Sequence, residues 1–289
     1  MKKSTGVLLF VLLLISVLSS CSYGGTVVFD SRKEIVVVSR EDGSGTRGAF
    51  IELFGIEQRR DDGSRKDMTT KEAIIANQTG VMMTSIAGDK YAIGYISLGS
   101  LNKTVKALQI EGVIPTAANV KNGSYPIARP FNIATKGNST GIAKDFIDYI
   151  LSANGQAVVA ASYIPIVENA AAYAGNKPSG KIVVAGSSSV TPIMEKLKEA
   201  YLVMNPRATI EIQMSDSSAG ITGAIDGTCD IGMASRELKE SELKQLISTQ
   251  IALDGISVIV NHDNPATNLT KNQVKTIFTG ETLTWSKVN

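Results

Sequence analysis

The sequence predicts an α/β protein with parallel strands, and two observations lead to this fold class. Short apolar runs rich in β-branched residues, such as the one at 35–38, alternate with segments of helical spacing. Several of these runs end in glycine- and serine-rich turns directly before a helix. With 289 residues, of which 43% are hydrophobic and 19% charged, the chain is long enough for two domains with substantial cores.

The stretch IVVVSREDGSGTRGAF, from Ile35 to Phe50, is the first such strand, loop and helix. Its glycines let the backbone turn several N–H groups inward. Its hydroxyls fall at the start of the helix, where N–H groups are unsatisfied and the dipole is positive. The loop therefore predicts a receptor for a small anion, with an ordinary strand-turn-helix corner and a capping hydroxyl as the alternative. The residues concerned are Arg40, Gly43, Ser44, Gly45, Thr46 and Arg47.

A lipoprotein signal peptide is predicted at residues 1–20. The apolar stretch at 7–18 follows a basic start and is too short for a typical membrane-spanning helix. Small residues stand directly before Cys21, as in bacterial lipoprotein cleavage sites. Cys21 is then the lipidated first residue of the mature chain, and residues 21–32 form a tether. The alternative is an ordinary secretory signal in which the cysteine occurs by chance.

The part of the chain up to residue 161 continues with alternating elements. A charged, mobile segment is expected at 57–67, and a strand-like stretch with two prolines at 125–135 suits a sheet edge or a crossing between domains. The predicted helices are Met68–Asn77, Gly80–Ala87, Ile142–Leu151 and Gly155–Ala161, and the predicted strands are Ala92–Ser97 and Val105–Ile110.

Beyond a linker of small and polar residues at 168–180, the pattern of strand, serine-bearing turn and helix occurs three more times. A parallel sheet places all such turns along its carboxyl edge, where open α/β sheets bind ligands. Together with the Ile35–Phe50 loop, these turns predict a site for an oxyanion. The strands are Ile182–Ala185, Thr209–Met214 and Ile231–Ala234, and the turns contain Ser188–Ser189, Ser217–Ser218 and Ser235–Arg236.

Several classes of function are poorly supported. The single histidine, His262, lies in a turn-like stretch and is expected to be exposed, so no conventional serine triad can form around Ser44. Neither a Walker lysine nor metal-ligand spacing of His and Cys is present, so no metal or cofactor is expected. A net charge of +2 without a basic block argues against nucleic acid. Cys229 has no partner once Cys21 is lipidated and is expected to be a small buried hydrophobe.

Specific motifs resemble those of the phosphate-binding lipoproteins of phosphate ABC transporters. Residues 181–289, with GSSSVTPIMEKLKEAY and SSAGITGAIDGTCDIGMASRELK, resemble the amino-terminal part of that family. Residues 33–167, with VVVSREDGSGTRGAF and YPIARPFNIATKG, resemble its carboxyl-terminal part. Because the two parts occur here in reversed order, we expect a circular permutant. A gene rearrangement or a fragment of a tandem array is the alternative.

The resemblance implies a two-lobed periplasmic-binding-protein-like fold of type II, with two crossing strands as the hinge. The crossings would be Tyr125–Thr135 and Gly255–Asn261. Lobe I would be continuous, at 120–262, and would contain the linker. Lobe II would combine 26–119 with 263–289, and it closes if the tail of the chain pairs back onto Ile35–Val38.

The resemblance also implies the residues that contact phosphate. From lobe II these are Arg40, Ser44, Gly45 and Thr46; from lobe I they are Ser188, Ser189, the Val190 backbone, Ser217 and Ser235. Asp42 would orient Arg40, with Ser218 and Arg236 in support. Ser235 stands where the family's best-known pattern has an aspartate that accepts the proton of phosphate. Discrimination against sulfate would then be weaker than usual or depend on Asp42, Asp216 or Glu237.

The implied function is capture of inorganic phosphate by hinge closure and its delivery to ABC transporter permease subunits. The protein would be a monomer, held at the extracytoplasmic face of the cell membrane by the lipid on Cys21. A receptor for sulfate or another tetrahedral oxyanion, and an anchored phosphate sensor or scavenger without a permease, are the alternatives. A serine hydrolase that uses Ser44 is a more distant one.

Overall fold

The computed structural model of the protein describes residues 28–60 and 65–288, and Ser31–Asn289 form one compact unit. The predicted signal peptide at 1–20, the lipidation site Cys21 and most of the tether lie outside the described residues. Within the described part of the chain, no helix has the length and apolar character needed to cross a membrane.

Most of the strands belong to one mixed sheet. They are β1 Val36–Arg40, β2 Glu57–Arg59, β3 Arg65–Asp67, β4 Ile74–Ala76, β5 Ala92–Ser97, β6 Lys106–Ala107, β7 Gln109–Ile110, β8 Ala128–Thr135, β9 Gly180–Ser187, β10 Ala208–Ser215, β11 Ile231–Ala234, β12 Ile247–Val260 and β13 Asn268–Leu269. The main sheet has nine strands in the order β10-β9-β11-β8-β12-β5-β1-β4, with β6 added beside β12.

Helices cover both parts of this sheet. They are α1 Gly45–Leu53, α2 Thr79–Gly88, α3 Ala117–Lys121, α4 Gly141–Leu151, α5 Ala153–Ala160, α6 Thr191–Met204, α7 Ser217–Asp226, α8 Glu240–Leu243 and α9 Lys271–Phe278. Short 3₁₀ turns occur at Leu98–Ser100 and Trp285–Lys287.

The long strand β12 joins two half-sheets. Its residues 247–255 pair antiparallel with β8, and residues 256–260 pair with β5 and β6. We call lobe I the part built on β8–β11 and 247–255, and lobe II the part built on β1, β4, β5, β6 and 256–260. The sequence-based division placed 256–260 in lobe I, whereas these residues pair within lobe II. The division of the whole chain into the two predicted lobes remains a proposal.

Each lobe has its own apolar core, because the inward faces of its strands and helices are built from aliphatic and aromatic residues. In lobe II, Val38, Met82 and Ile259 are at most 1% exposed, and Phe50 of α1 stacks on Tyr95 with 3.8 Å between ring centroids. The lobe I core is larger and includes Phe131, Phe146, Leu197, Tyr201 and Met233. These cores fix the strand ends, and therefore the loops that follow them.

The helix predicted at Met68–Asn77 is wrong. Its residues 74–76 form β4, which pairs parallel with Val38–Arg40. The three consecutive apolar residues Ile74, Ile75 and Ala76 suggested a helix. They instead pair with the edge of β1, where ladder hydrogen bonds are available. The helix predicted after the third serine-bearing turn is a single turn, α8. In the charged segment at 57–67, β2 and β3 pair antiparallel, and residues 61–64 lie outside the description.

The carboxyl-terminal tail contacts the start of the described chain over a short stretch, and Ser286 N–H donates to Ser31 O at 2.7 Å. Glu34 forms an isolated antiparallel bridge with Thr284, and Ile35 N–H donates to Leu283 O at 2.8 Å. Of the pairing expected along Ile35–Val38, only Ile35 bonds to the tail; β5 pairs with residues 36–37 and β4 with residues 38–40. The lobe is therefore closed by a short contact, not by an additional strand.

The linker at 168–180 is docked on helix α4. The Asp145 carboxylate accepts from Tyr173 OH at 2.5 Å and from Asn176 N–H at 3.1 Å. Asp145 is 7% exposed and also accepts from Tyr201 OH at 2.8 Å. The segment therefore follows the surface of lobe I instead of hanging free.

Candidate anion-binding site

The carboxyl ends of β1, β9, β10 and β11 bring polar side chains from both lobes into one buried cluster. As the parallel-sheet argument predicted, the turns after these strands lie side by side. All of the residues in the cluster are at most 5% exposed: Arg40, Ser44, Thr46, Thr79, Ser187, Ser188, Ser189, Ser217 and Ser235.

Arg40 reaches from lobe II to lobe I. Its Nη2 donates to the Ser188 hydroxyl at 3.1 Å, and its Nε donates to the Ala76 carbonyl at 3.1 Å. Glu41 accepts from Nε at 2.7 Å and from Nη2 at 2.6 Å. The aligned donors Nε and Nη2 thus form a bidentate ion pair with Glu41, which fixes the plane of the guanidinium. Arg40 therefore supplies a fixed guanidinium, paired with Glu41, at the contact between the lobes.

The backbone of Arg40 is also supported. Its N–H donates to the Tyr95 hydroxyl at 3.1 Å, and that hydroxyl shares a 2.9 Å hydrogen bond with Ser39. Burial raises the pKa of Tyr95 to about 12, so the phenol stays protonated. Arg47 closes the loop from the other side, because its Nη1 donates to the Arg40 carbonyl at 2.6 Å.

Hydroxyls from the two lobes contact one another directly. Thr46 Oγ1 lies 2.8 Å from Ser189 Oγ. Thr79 Oγ1 lies 3.4 Å from both Ser188 Oγ and Ser189 Oγ. Because hydroxyls rotate and can donate or accept, this group can reorient its O–H bonds toward an anion.

A second group of hydroxyls lies within lobe I. The Ser187 hydroxyl donates to Ser235 Oγ at 3.0 Å, and Ser217 Oγ lies 3.4 Å from Ser235 Oγ. Ser235 N–H donates to Ser217 Oγ at 3.1 Å. The turns after β9, β10 and β11 are thereby joined to one another.

Two glycines allow the lobes to approach closely. A Cβ on Gly45 would lie 2.5 Å from Ser217 Oγ and 2.8 Å from Ser235 Oγ. A Cβ on Gly43 would lie 2.3 Å from Asp216 Oδ1, and the Gly43 carbonyl accepts from Ser218 N–H at 3.2 Å. Neither position has room for a side chain in this arrangement.

The structure brings the expected binding residues together. Two of them bond locally. Ser44 Oγ caps α1 by accepting from Arg47 N–H at 3.3 Å, and the Val190 N–H, expected to contact phosphate, donates its hydrogen to Ser187 O at 3.0 Å. Gly45 and Val190 are buried beside the hydroxyls. The gathered set is Arg40, Ser44, Gly45, Thr46, Ser188, Ser189, Val190, Ser217 and Ser235.

Asp42 does not orient Arg40 as expected. Its side chain is 97% exposed and pairs with Arg47 at 2.8 Å. Glu41 contacts Arg40 instead, because its longer side chain reaches both Nε and Nη2, whereas Asp42 follows on the outer side of the loop. Arg236, expected in support, directs its guanidinium to Glu242 at 2.8 and 2.9 Å. Ser218 joins the two lobes through its backbone N–H, which donates to the Gly43 carbonyl.

The other carboxylates considered as proton acceptors lie outside the hydroxyl cluster. Asp216 Oδ1 caps α7 by accepting from Ala219 N–H at 2.8 Å, and Glu237 is exposed. His262 is exposed in a turn and Cys229 is buried, as predicted; burial raises the pKa of the Cys229 thiol. In the ranges the structure describes, no group of three or more His, Cys, Asp or Glu side chains could hold a metal ion.

Sequence reasoning missed several members of the cluster. Ser187 belongs to the same serine run as Ser188, so the run itself could have indicated it. Thr79 was overlooked because it lies between two predicted helices, outside any serine-bearing turn. Arg129 of β8 holds the third turn, since its Nη1 donates to the Ser235 carbonyl at 3.1 Å. Nothing in the strand-turn-helix pattern points to Glu41 or Arg129.

The composition of the cluster suits a small oxyanion. One buried guanidinium and several hydroxyls provide donors, and burial strengthens each bond because water is excluded. The arrangement offers no nucleophile with an adjacent base, since the described histidine lies elsewhere.

Comparisons with known proteins identify the family of the chain. Residues 28–154 and 171–289 match the PBP superfamily domain. The chain is 54% identical over 278 residues to the phosphate-binding protein PstS 2 of Streptococcus agalactiae serotype V, covering 95% of this chain and 94% of that one. It is 47% identical over 256 residues to PstS 2 of Streptococcus pneumoniae serotype 4, covering 88% of this chain and 87% of that one.

A solved structure shows the same fold. The phosphate-binding protein of a phosphate ABC transporter from Streptococcus pneumoniae TIGR4 superimposes with a TM-score of 0.71 at 46% identity, covering 89% of this chain and 100% of that one. The chain therefore belongs to the PBP superfamily and, within it, to the family of PstS phosphate-binding proteins.

Proposed function

We propose that this protein is the phosphate-binding component of a phosphate ABC transporter and is not an enzyme. It captures inorganic phosphate between its two lobes by hinge closure and delivers it to the permease subunits. The observation that carries the proposal is the position of Arg40, a guanidinium that is 2% exposed and donates to Ser188 of the opposite lobe. The names of the relatives support phosphate as the ligand.

The proposed phosphate contacts are the gathered residues. Arg40 supplies positive charge and the Nη2 donor that already reaches Ser188, and the hydroxyls and loop N–H groups complete the shell around a tetrahedral ligand. Closure matters because these donors become strong partners once water is excluded. It also matters because a permease can distinguish a closed receptor from an open one.

Glu41 is the proposed acceptor for the proton that phosphate carries at neutral pH and sulfate lacks. Its carboxylate contacts Nη2 of Arg40, and Nη2 also contacts the Ser188 hydroxyl. An anion held by both groups would lie near Glu41, where an unprotonated sulfate oxygen would meet a like charge. A receptor for sulfate remains the second candidate, because Ser235 supplies a hydroxyl where the resemblance leads one to expect an aspartate.

Isothermal titration calorimetry tests the proposal directly. A chain beginning at residue 22 is titrated with inorganic phosphate and, separately, with sulfate at neutral pH. We expect a single phosphate site and binding of sulfate that is at least tenfold weaker. Absence of phosphate binding, or stronger binding of sulfate, would contradict the proposed ligand. Delivery is tested by phosphate uptake in cells that lack this protein and regain it from a plasmid, which separates a transport receptor from a sensor or scavenger.

The proposed location is the extracytoplasmic face of the membrane, with the lipid attached to Cys21. The support is the small-residue pattern before that cysteine. Metabolic labelling with a fatty acid should mark the wild-type chain and leave Cys21→Ala unlabelled. The protein is proposed to act as a monomer, which light scattering of the chain from residue 22 can test.

The circularly permuted order also remains a proposal. Its support is the reversed order of the motifs at 33–167 and 181–289. A rearranged chain, in which 181–289 precedes 33–167 and a short linker replaces 168–180, should fold and bind phosphate if the two orders encode one structure. Failure of that chain to fold would argue that the present order is required.

A further inference from the structure

Apart from the anion cluster, the lobes meet at a second buried polar group, which we call the hinge seam. It consists of Arg129, Tyr163 and Asp254 of lobe I and Ser97 and Ser100 of lobe II. Asp254 is the last residue but one of β12 before the strand passes into the sheet of lobe II. The seam therefore lies where a change in the angle between the lobes must occur.

Asp254 and Arg129 form the charged centre of the seam. They are cross-strand neighbours on β12 and β8, their side chains are 1% and 2% exposed, and Nη2 lies 3.2 Å from Oδ2. Asp254 Oδ1 accepts from Gly99 N–H of lobe II at 3.3 Å. Arg129 donates to the Ser235 carbonyl of the anion cluster. One pair of side chains thus links the hinge to a turn that surrounds the anion.

Three hydroxyls at the seam are buried. They are Ser97 Oγ and Ser100 Oγ, from the end of β5 and the 3₁₀ turn that follows it, and Tyr163 OH. Tyr163 OH lies within reach of Ser97 and Ser100, and Ser97 lies within reach of Asp254, but none of these contacts has normal hydrogen-bond geometry. Tyr163 belongs to the lobe I core, and its ring lies so close to Gly99 that a Cβ there would be 2.2 Å from the ring. These poorly bonded groups therefore come from both lobes and face one another where the lobes contact.

Such groups disfavour the arrangement that buries them. A buried hydroxyl with only distorted contacts loses its bonds to water and regains only part of their free energy, and a buried ion pair only partly recovers its own desolvation. Opening the hinge would separate Tyr163 from Ser97 and Ser100 and return their hydroxyls to water. The free energy of the seam is thus lower in the open form. The free energy of the anion cluster is lower in the form closed around a ligand.

We propose that the hinge seam opposes closure and thereby sets the balance between the open and closed forms of the protein. This inference rests on the proposed function, because phosphate is the ligand whose binding would overcome the opposition. The apparent affinity of a ligand that requires the closed form falls with the fraction of protein that is closed beforehand. Removing the hydroxyls of Ser97, Ser100 and Tyr163 should therefore strengthen phosphate binding, although none of these residues belongs to the anion cluster.

The test uses the triple variant Ser97→Ala, Ser100→Ala, Tyr163→Phe, which retains the aromatic ring and removes the three hydroxyls. Spin labels are placed at Lys71→Cys in lobe II and Glu240→Cys in lobe I, both exposed, in a Cys229→Ala background. Distances are measured by electron paramagnetic resonance without anion and with inorganic phosphate. We expect a larger closed population without anion and phosphate binding that is roughly tenfold tighter. Tyr163→Phe alone should shift both quantities in the same direction by less.

Ser257→Ala is the matched control. The Ser257 hydroxyl is also buried and without a partner, but it lies within the lobe II part of β12. Its removal should leave the distance distribution and the affinity unchanged. An unchanged or smaller closed population in the triple variant would overturn the proposal. Should no variant bind phosphate, the proposed function fails, and the distances measured without anion still decide the role of the seam.

Discussion

The guanidinium of Arg40 in lobe II lies 3.1 Å from the hydroxyl of Ser188 in lobe I, although 148 residues separate the two in sequence. This contact joins the ends of two strands, β1 and β9, that belong to different half-sheets. The site therefore forms only when the two lobes lie against each other.

Replacing Arg40 by alanine should weaken phosphate binding by about 2–3 kcal/mol, because hydrogen bonds to a charged group are lost inside a buried site. Arg40→Lys should recover only part of this, since lysine keeps the charge but lacks the paired donors. Calorimetry gives both values. Arg65→Ala, at a half-exposed arginine paired with Glu57, is the control and should bind as the wild type does. Equal affinities for Arg40→Ala and Arg65→Ala would remove Arg40 from the site.

Gly45→Ala should prevent full closure, because its Cβ would meet Ser217 Oγ at 2.5 Å. We expect phosphate binding at least tenfold weaker than in the wild type, with thermal stability little changed. Gly48→Ala lies on the same helix, where a Cβ meets nothing within 4 Å. That control should keep its affinity and gain slight stability from better helix propensity. If both variants bind alike, close approach at Gly45 is not required.

Glu41→Gln should reduce discrimination between phosphate and sulfate. A neutral amide no longer repels an unprotonated oxygen, so sulfate should bind relatively better, and the ratio of the two affinities should fall by about tenfold. Asp42→Asn is the control, because that side chain is 97% exposed and pairs with Arg47 instead. Competition calorimetry at neutral pH gives the ratio. An unchanged ratio in Glu41→Gln would assign the discrimination to another group.

The pH dependence of stability should reveal Asp254. Burial raises the pKa of its carboxyl from 3.8 to about 6, against the opposing effect of Arg129. The folded protein then retains a proton that the unfolded chain has lost. The stabilising contribution of this group is therefore complete below about pH 4 and is lost as the pH rises through about 6.

In the Asp254→Asn variant this side chain cannot titrate. The free energy of unfolding of the variant should therefore fall less than that of the wild type between pH 4 and pH 7. The expected difference is on the order of 1–3 kcal/mol. Urea titrations at a series of pH values give the two curves. Parallel curves would show that Asp254 has an ordinary pKa in the folded protein.

Asp145→Asn should loosen the docked linker and lower the free energy of unfolding by about 1–3 kcal/mol, because two phenols and a backbone N–H lose a charged acceptor. Asp148→Asn, on the same helix but half exposed and paired with Lys144, should have little effect. Limited proteolysis at 168–180 should be faster in the first variant alone. Equal cleavage rates would mean that other contacts hold the linker.

Much of the site could be predicted from sequence because its chemistry follows strand ends. Buried strands such as β11 are easily recognised, and a parallel sheet places their turns together without further information. The loop after β1 and the turns that carry Ser189, Ser217 and Ser235 were found in this way, whereas the family resemblance implied the individual contacts. The distance between them in sequence did not matter, since the sheet order determines which turns meet.

The other residues of the site could not be predicted, because their positions depend on side-chain direction and on contacts between distant segments. Glu41 and Asp42 are adjacent carboxylates in one loop, and only the path of the backbone decides which of them reaches the arginine. The strand β4 resembled part of a helix because three apolar residues carry no clear period. Thr79 and Arg129 join the site through the relative position of helices and strands that no local pattern encodes.

The continuity of β12 imposes a shared register on the two lobes. Because side chains alternate between the faces of a strand, a slip of one residue against β8 would turn Asp254 away from Arg129. The same slip would move Ile259 out of the opposite core. The register shifts once, between Gln250 and Ala252, but from Ala252 to Val260 neither lobe can slide this strand without moving it in the other.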